Sequence, residues 1–136
     1  LGAALEEALE NRGIAVLRDE SLHDYPSYND SYVSSRKSVE SYLEAYPSLC
    51  LVLDLHRDAS AGTRQLRPLA QTQSGSAARL MLVVGITRPL SIRPQRFNQD
   101  LSTGALLIEI GGAGNTRQEA LAAIDILAQS IEALLH

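Results

Sequence analysis

The stretch "LVLDLHRDAS", Leu51 to Ser60, decides how the middle of the chain folds. Apolar residues run from Leu49 to Leu55 with Asp54 as the one interruption, and Pro47 closes the segment before them. A short continuous apolar run between turn signals is typical of a strand buried on both faces. It then ends in three polar side chains, His56, Arg57 and Asp58. The pattern predicts a buried strand with polar and charged side chains at its C-terminal end.

The sequence on either side of this strand alternates between helical and extended patterns. Helices are predicted at 1–12, at 31–46 and from 116 to the end, and strands at 14–17, 49–55, 79–85 and 105–112. The last helix begins with a T-x-x-E capping box, Thr116 and Glu119. Its predicted core-facing stripe consists of Leu121, Ile124, Leu127, Ala128, Ile131, Leu134 and Leu135. Residues 18–30, 60–78 and 86–104 are rich in polar residues or proline and are predicted as loops.

This order of elements predicts an α/β domain with a mostly parallel sheet flanked by helices. A chain of 136 residues can bury one core of useful size, so a single domain over 1–136 is expected. It starts in mid-helix pattern without Met, which suggests a fragment of a longer protein. Sites in such sheets lie at the carboxyl ends of strands. Three candidate segments follow strands in this way: "LRDESLHD", "HRDAS" and "EIGGAGNT".

The composition excludes several classes of protein. Hydrophobic residues make up 45%, and the formal net charge is -4, so no overall basic charge favours nucleic acid or an anionic membrane. No apolar stretch reaches the ~18 residues that a membrane-spanning helix needs. Cys50 is the single cysteine, which excludes an internal disulfide, and it is expected to be a small buried hydrophobe.

His56 has two interpretations. A histidine at a strand terminus can simply donate to a backbone carbonyl. Alternatively, a neutral imidazole is a common ligand of divalent metals, and Arg57 and Asp58 would then supply partners that orient the ring. One histidine does not make a metal site, because catalytic zinc usually takes three protein ligands and a water.

Glu109 is the unusual residue of "ALLIEIGG", residues 105–112. An ionised carboxylate in a buried strand is costly unless it is paired or lies near a cation. The strand could instead be an edge strand that exposes Glu109 to solvent. If it is buried, this carboxylate can take a proton from an activated water and pass it to a leaving amine.

Two further motifs are less specific. "GGAGNT", residues 111–116, is glycine-rich and precedes a helix, but it follows the last strand and lacks the spacing of a nucleotide-binding fingerprint. A tight strand-to-helix turn explains it better than a phosphate-binding loop. His23, next to Asp24, is either a polar loop residue or lines a pocket. The neighbouring tyrosines, Tyr25 and Tyr28, could contact a sugar or a peptide.

Two long segments resemble the stage II sporulation protein P family. They are "HDYPSYNDSYVSSRKSVESYLEAYPSLCLVLDLHRDA" and "RFNQDLSTGALLIEIGGAGNTRQEA", and the opening "NRGIAVLRD" agrees with them. The resemblance covers nearly the whole chain. It implies the three-layer α/β/α fold of phosphorylase/hydrolase-like amidases and a zinc-dependent N-acetylmuramoyl-L-alanine amidase, which cleaves the amide joining N-acetylmuramic acid to the stem peptide. Endopeptidase activity on peptide cross-links is also credited to the family.

The resemblance assigns roles to residues of this chain. His56 is expected to bind zinc (Zn2+), and Glu109 to be the catalytic glutamate. His23 is a candidate second ligand. Candidate substrate-binding residues are Arg57, Asp58, Asn98, Gln99 and Asn115. The implied partners are peptidoglycan and stage II sporulation proteins D and M, with no nucleic acid. The implied parent protein is membrane-anchored and works outside the cytoplasm, between the mother-cell and forespore membranes.

The chain departs from the family pattern in two places. A His-Thr-His-type motif that supplies another ligand is expected upstream of Leu1, and the connection from "VVG" to "RPQRFNQDL" is shorter than in the family. An incomplete metal site favours a second hypothesis, an inactive amidase-fold domain that binds wall peptides or a partner protein. A nucleotide-binding module that uses "GGAGNT" is the third.

Overall fold

The computed structural model describes residues 1–58, 65–85, 92–93 and 98–136. In chain order the helices are α1 (Gly2–Glu10), a short 3-10 helix (Tyr28–Asp30), α2 (Ser31–Ala45) and α3 (Arg117–Leu135). The strands are β1 (Val52–Asp58), β2 (Leu69–Thr72), β3 (Gly75–Ala78), β4 (Leu80–Gly85), β5 (Ile92–Arg93) and β6 (Ala105–Gly112). No helix within these residues is long and apolar enough to span a membrane.

Four strands form the main sheet in the order β1-β6-β4-β5. The amide of Val52, at the start of β1, donates to the carbonyl of Gly104, just before β6. The starts of β1 and β6 therefore lie side by side, and the two strands are parallel. Gly111, near the end of β6, donates instead to the carbonyl of Arg79, just before β4, so β4 runs antiparallel to β6. The sheet is small and mixed, which corrects the prediction of a mostly parallel one.

The chain divides into two compact units. The first consists of Leu1–Arg18, Leu55–Met81 and Ile108–His136. Within it α3 packs against α1 and against β3. Its buried apolar side chains are Leu5, Leu9, Ala77, Ala78, Ile108, Ile110, Ala120, Ala123, Ile124, Leu127, Ala128 and Ile131. Alanines on β3 and α3 allow a short hairpin to lie close to the helix.

The second unit consists of Asp19–Asp54 and Leu82–Leu107. Its buried apolar residues among those described are Val83, Ala105 and Leu107, while α2 has no fully buried residue. Hydrogen bonds attach α2 to the turn before β6: Arg36 pairs with Asp100, and the Asn98 amide donates to Ser35 Oγ at 2.8 Å. The prediction of a single domain stays a prediction.

Three local predictions were wrong. Residues 14–17 form no regular strand, and the predicted loop at 60–78 contains the antiparallel hairpin β2–β3. The hairpin closes through Thr72 Oγ1, which donates to the carbonyl of Gly75 at 2.7 Å, a contact that no hydrophobic pattern predicts. Cys50 is exposed rather than buried, because it lies before β1 begins.

Candidate active site

His56 and Glu109 lie on neighbouring strands of the sheet. His56 is the third residue from the end of β1, and Glu109 is the fourth from the end of β6. The two strands are adjacent and parallel, and both residues belong to the first unit. Their placement agrees with a site near the carboxyl ends of these strands.

The register of β1 and β6 follows from the bond between Val52 and Gly104. A residue of a parallel ladder that donates to residue j − 1 lies beside residue j, so Val52 lies beside Ala105. A ladder that continues in step then brings His56 beside Glu109. Neighbouring strands are about 4.8 Å apart, and paired residues direct their side chains to the same face. We infer that the imidazole and the carboxylate share one face of the sheet.

Gly104 supports this register. A Cβ atom on Gly104 would come 2.0 Å from the carbonyl oxygen of Cys50 and 3.4 Å from the Cα of Leu51. The backbones are therefore in close contact one residue before Val52 and Ala105. No side chain can occupy position 104 without moving β1 away from β6.

Glu109 is buried, with 8% of its surface exposed. The strand on either side is also buried, including Ile108 and Ile110. The interpretation of β6 as an edge strand that exposes this carboxylate is therefore wrong, since β6 lies between β1 and β4. His56 is half-buried. A buried carboxylate is costly to fold, and functional sites are among the places where proteins keep one.

Asp54 shares the face of His56, because residues two apart on a strand point the same way.

The turn between β6 and α3 carries a second group of polar residues. Asn115 is buried, with 5% of its surface exposed. Its Oδ1 accepts from the amide of Gly112 at 2.9 Å, and its Nδ2 donates to the Pro68 carbonyl and to Glu119 Oε2, each at 3.1 Å. Every polar atom of this side chain is thus used inside the protein. "GGAGNT" forms a tight strand-to-helix turn, in agreement with the sequence analysis.

Glu119 does more than close the capping box of α3. Its carboxylate accepts from the amide of Thr116 at 3.0 Å and forms an ion pair with Arg67. The hydrogen bond from Arg67 lowers the pKa of Glu119 to about 2, with further help from Thr116 and Asn115 and against the effect of burial. The capping box was predicted, but nothing in the sequence indicated that Arg67 would reach it.

Three of the other candidate substrate-binding residues donate hydrogen bonds within the protein. Arg57 donates from its Nη2 to two carbonyls of the β6–α3 turn, those of Gly112 and Asn115. In the second unit, the amides of Asn98 and Gln99 donate to Ser35 and to the carbonyl of Val83. The side chain of Asp58 lies outside what the structure describes.

His23, the candidate second ligand, belongs to the second unit. Its Nε2 lies 3.1 Å from Oδ2 of Asp19, and Oδ1 of Asp19 accepts from the amide of Ser21 at 2.8 Å. Burial raises the pKa of Asp19, but the bonds from Ser21 and His23 outweigh it and leave that pKa below its ordinary value. This pair fixes the orientation of the imidazole ring.

Comparison with protein families identifies the chain. The family model of stage II sporulation protein P matches residues 1–95 and 85–132. The chain belongs to the stage II sporulation protein P family. No curated protein and no solved structure matches it significantly.

The family fixes the general area of function. Members act in sporulation in association with peptidoglycan, which indicates a role at the cell envelope. The two matched segments of this family member overlap at 85–95, within the connection that is predicted to be shorter than in the family.

The zinc that the resemblance implies needs more ligands than the described residues bring together. Among them no group of three His, Cys, Asp or Glu side chains is arranged to hold a metal ion. His56 and Glu109 alone do not make up the three protein ligands of a catalytic zinc site. The described residues of this family member therefore do not by themselves complete a zinc site.

Proposed function

We propose that this chain is part of a peptidoglycan hydrolase, a zinc-dependent N-acetylmuramoyl-L-alanine amidase that acts during engulfment in sporulation. The reaction is hydrolysis of the amide between the lactyl group of N-acetylmuramic acid and L-alanine of the stem peptide. Family membership supports the substrate class. The observation that carries the reaction type is a buried carboxylate, Glu109, in the strand next to the one that bears His56.

Each of the two residues has one role in this proposal. Glu109 accepts a proton from the attacking water and returns it to the nitrogen of the leaving L-alanine as the amide C–N bond breaks. His56 is one metal ligand, and bound zinc would polarise the amide carbonyl. His23 stays a candidate for a further ligand, and the described residues alone do not complete the site. Cleavage of peptide cross-links is a second activity of the same chemistry, because both bonds are amides.

The deciding experiment uses the full-length protein and purified sacculi. Digestion should create new L-alanine amino termini on the stem peptides, and a chelator should abolish their appearance until zinc is restored. End-group labelling followed by mass spectrometry of the released muropeptides measures both. New termini on other stem-peptide residues would measure the endopeptidase activity. An enzyme that releases no new amino terminus with zinc present would overturn the proposal.

An inactive amidase-fold domain that binds wall peptides or a partner protein is the second candidate. The lack of a three-ligand group among the described residues favours it. This candidate predicts that the protein sediments with sacculi while no amino termini appear, with or without zinc.

The proposed partners and localisation of the protein follow from the same proposal. We propose that the parent protein is membrane-anchored, works between the mother-cell and forespore membranes and acts together with stage II sporulation proteins D and M. Co-purification of these proteins from engulfing cells tests the partnership.

A further inference from the structure

Arg57 follows His56 directly on β1, and the alternation of a strand sends the two side chains to opposite faces. Nη2 of Arg57 donates to the carbonyl oxygen of Gly112 at 2.8 Å and to that of Asn115 at 2.7 Å. Gly112 is the last residue of β6, the strand of Glu109. One guanidinium therefore joins the end of β1 to the end of β6 and to the turn that follows it.

Asn115 holds that turn together from within. Its side chain closes a ring with the amide of Gly112 and also binds the Pro68 carbonyl and Glu119. Gly111 lies so close to this ring that a Cβ there would come 2.5 Å from Asn115 Oδ1. Both hydrogens of Asn115 Nδ2 and one lone pair of its Oδ1 are used in these bonds, and the side chain is buried, which favours a structural role over substrate binding.

The segment before β2 is attached to the same turn. The amide of Gly114 donates to the Leu66 carbonyl at 2.9 Å, Asn115 binds the Pro68 carbonyl, and Arg67 pairs with Glu119. Both described stretches that flank residues 59–64 thus bind to the β6–α3 turn. The turn is the common anchor for the strand of His56, the strand of Glu109 and the segment before the hairpin.

We propose that Arg57 and Asn115 are positioning residues that fix the end of β1 against the end of β6, and so set the spacing of His56 and Glu109, rather than substrate ligands. This inference rests on the proposed function. It replaces the substrate-binding roles predicted for these two residues with an indirect one. Residues that orient ligating or reacting groups typically change activity by roughly 10- to 100-fold when removed.

The kinetic test compares variants of the full-length protein on soluble muropeptides. Arg57→Ala should lower kcat roughly 10- to 100-fold and leave KM nearly unchanged, and Asn115→Ala should do the same. Arg57→Lys keeps a cation that can donate to a carbonyl, so it should recover part of the lost kcat. Arg79→Ala is the matched control, since Arg79 is an exposed arginine of the same unit with a single long contact to a carbonyl. A raised KM at unchanged kcat in Arg57→Ala would show a substrate ligand and overturn the proposal.

Amide hydrogen exchange tests the anchor without any substrate. Arg57→Ala and Asn115→Ala should both speed exchange in the peptide spanning 105–115, whereas Arg79→Ala should not. Arg57→Lys, the milder change, keeps the test valid if an alanine variant fails to fold. Unchanged exchange in all folded variants would overturn the proposal. If the wild-type protein cleaves nothing but exchange responds as expected, the proposed function fails while the anchor stands.

Discussion

The proposed catalytic role of this protein depends on the carboxylate of Glu109. A buried acid on a central strand costs folding free energy, so a fold keeps it where its chemistry is needed. Neighbouring positions of β6 are occupied by Ile108 and Ile110, which contribute burial alone. The proposed catalytic carboxylate therefore lies between two residues that serve packing.

Replacing this carboxylate by its amide should stop turnover. Glu109→Gln keeps the shape of the side chain but removes its basicity, so amidase activity should fall by roughly 10²- to 10⁴-fold. Circular dichroism and the melting temperature should stay close to those of the wild type. Glu10→Gln, an exposed change on α1, is the control and should be fully active. Preserved activity in Glu109→Gln would remove Glu109 from the mechanism.

Gly111 tests the tightness of the turn at the end of β6. Its φ is +62°, and a Cβ would lie 2.5 Å from Asn115 Oδ1 and 2.8 Å from the Cβ of Ala78. Gly111→Ala should destabilise the protein by more than the about 1–2 kcal/mol that the left-handed conformation alone costs. Urea unfolding measures the loss. The control is Gly13→Ala, which shares a positive φ of 75° but has open space around it.

At the scale of elements, α3 shows what a sequence pattern can and cannot predict. Its capping box is present, and Ile124, Leu127, Ala128 and Ile131 of the predicted stripe are buried. Leu134 and Leu135 are exposed, because the helix continues past the surface it packs against. Hydrophobic periodicity and capping are local properties of the sequence. The point at which a helix stops packing against the core depends instead on segments that are distant in the sequence.

The N-terminus of α3 should make stability depend on pH. The pKa of Glu119 is about 2 in the folded protein, below the 4.5 of an unperturbed glutamate. The unfolded state then binds the proton first, so this contribution is complete above pH 4.5 and is lost as the pH falls toward 2. Melting temperatures between pH 7 and pH 2.5 should fall more steeply in the wild type than in Glu119→Gln. Parallel curves for the two proteins would contradict the assigned pKa.

The strands show a similar division between local and distant information. The patterns at 49–55, 79–85 and 105–112 correctly indicated β1, β4 and β6 as strands, but the burial predicted for 49–55 was wrong. β1 is an edge strand whose described side chains are half-buried or exposed, Met81 and Leu82 of β4 are exposed, and only β6 is buried along nearly its whole length. The direction of β4 and the hairpin β2–β3 were missed. Strand direction is decided by which backbones meet, and the hairpin buries two alanines, Ala77 and Ala78, that give almost no hydrophobic signal.

At the scale of the whole molecule, the sequence identified the family and predicted the pair of His56 and Glu109, but it did not indicate the contacts of the β6–α3 turn. The side chains that support the turn come from positions as distant as Arg57, Arg67 and Asn115. Such contacts depend on the final packing and leave no periodic trace. Roles for Asn98, Gln99 and Asp58 in substrate binding remain predictions.

Zinc binding is proposed for the full-length protein, because the described residues alone do not provide a complete ligand set. The full-length protein should bind zinc, and His56→Ala should lower its zinc content strongly. The control is His136→Ala, which removes an exposed histidine that follows α3, and this variant should keep the metal. Elemental analysis of the purified proteins measures all three. Equal zinc in the wild type and in His56→Ala would remove His56 from the ligand set.

The exposed sulfur of Cys50 makes the molecule convenient for spectroscopy. It is the single cysteine of the sequence and lies just ahead of β1, six residues before His56. A maleimide dye or a nitroxide would therefore attach at one defined place without any prior mutagenesis. Since the backbone of Cys50 lies against Gly104, the probe would report on any change in the contact between the starts of β1 and β6.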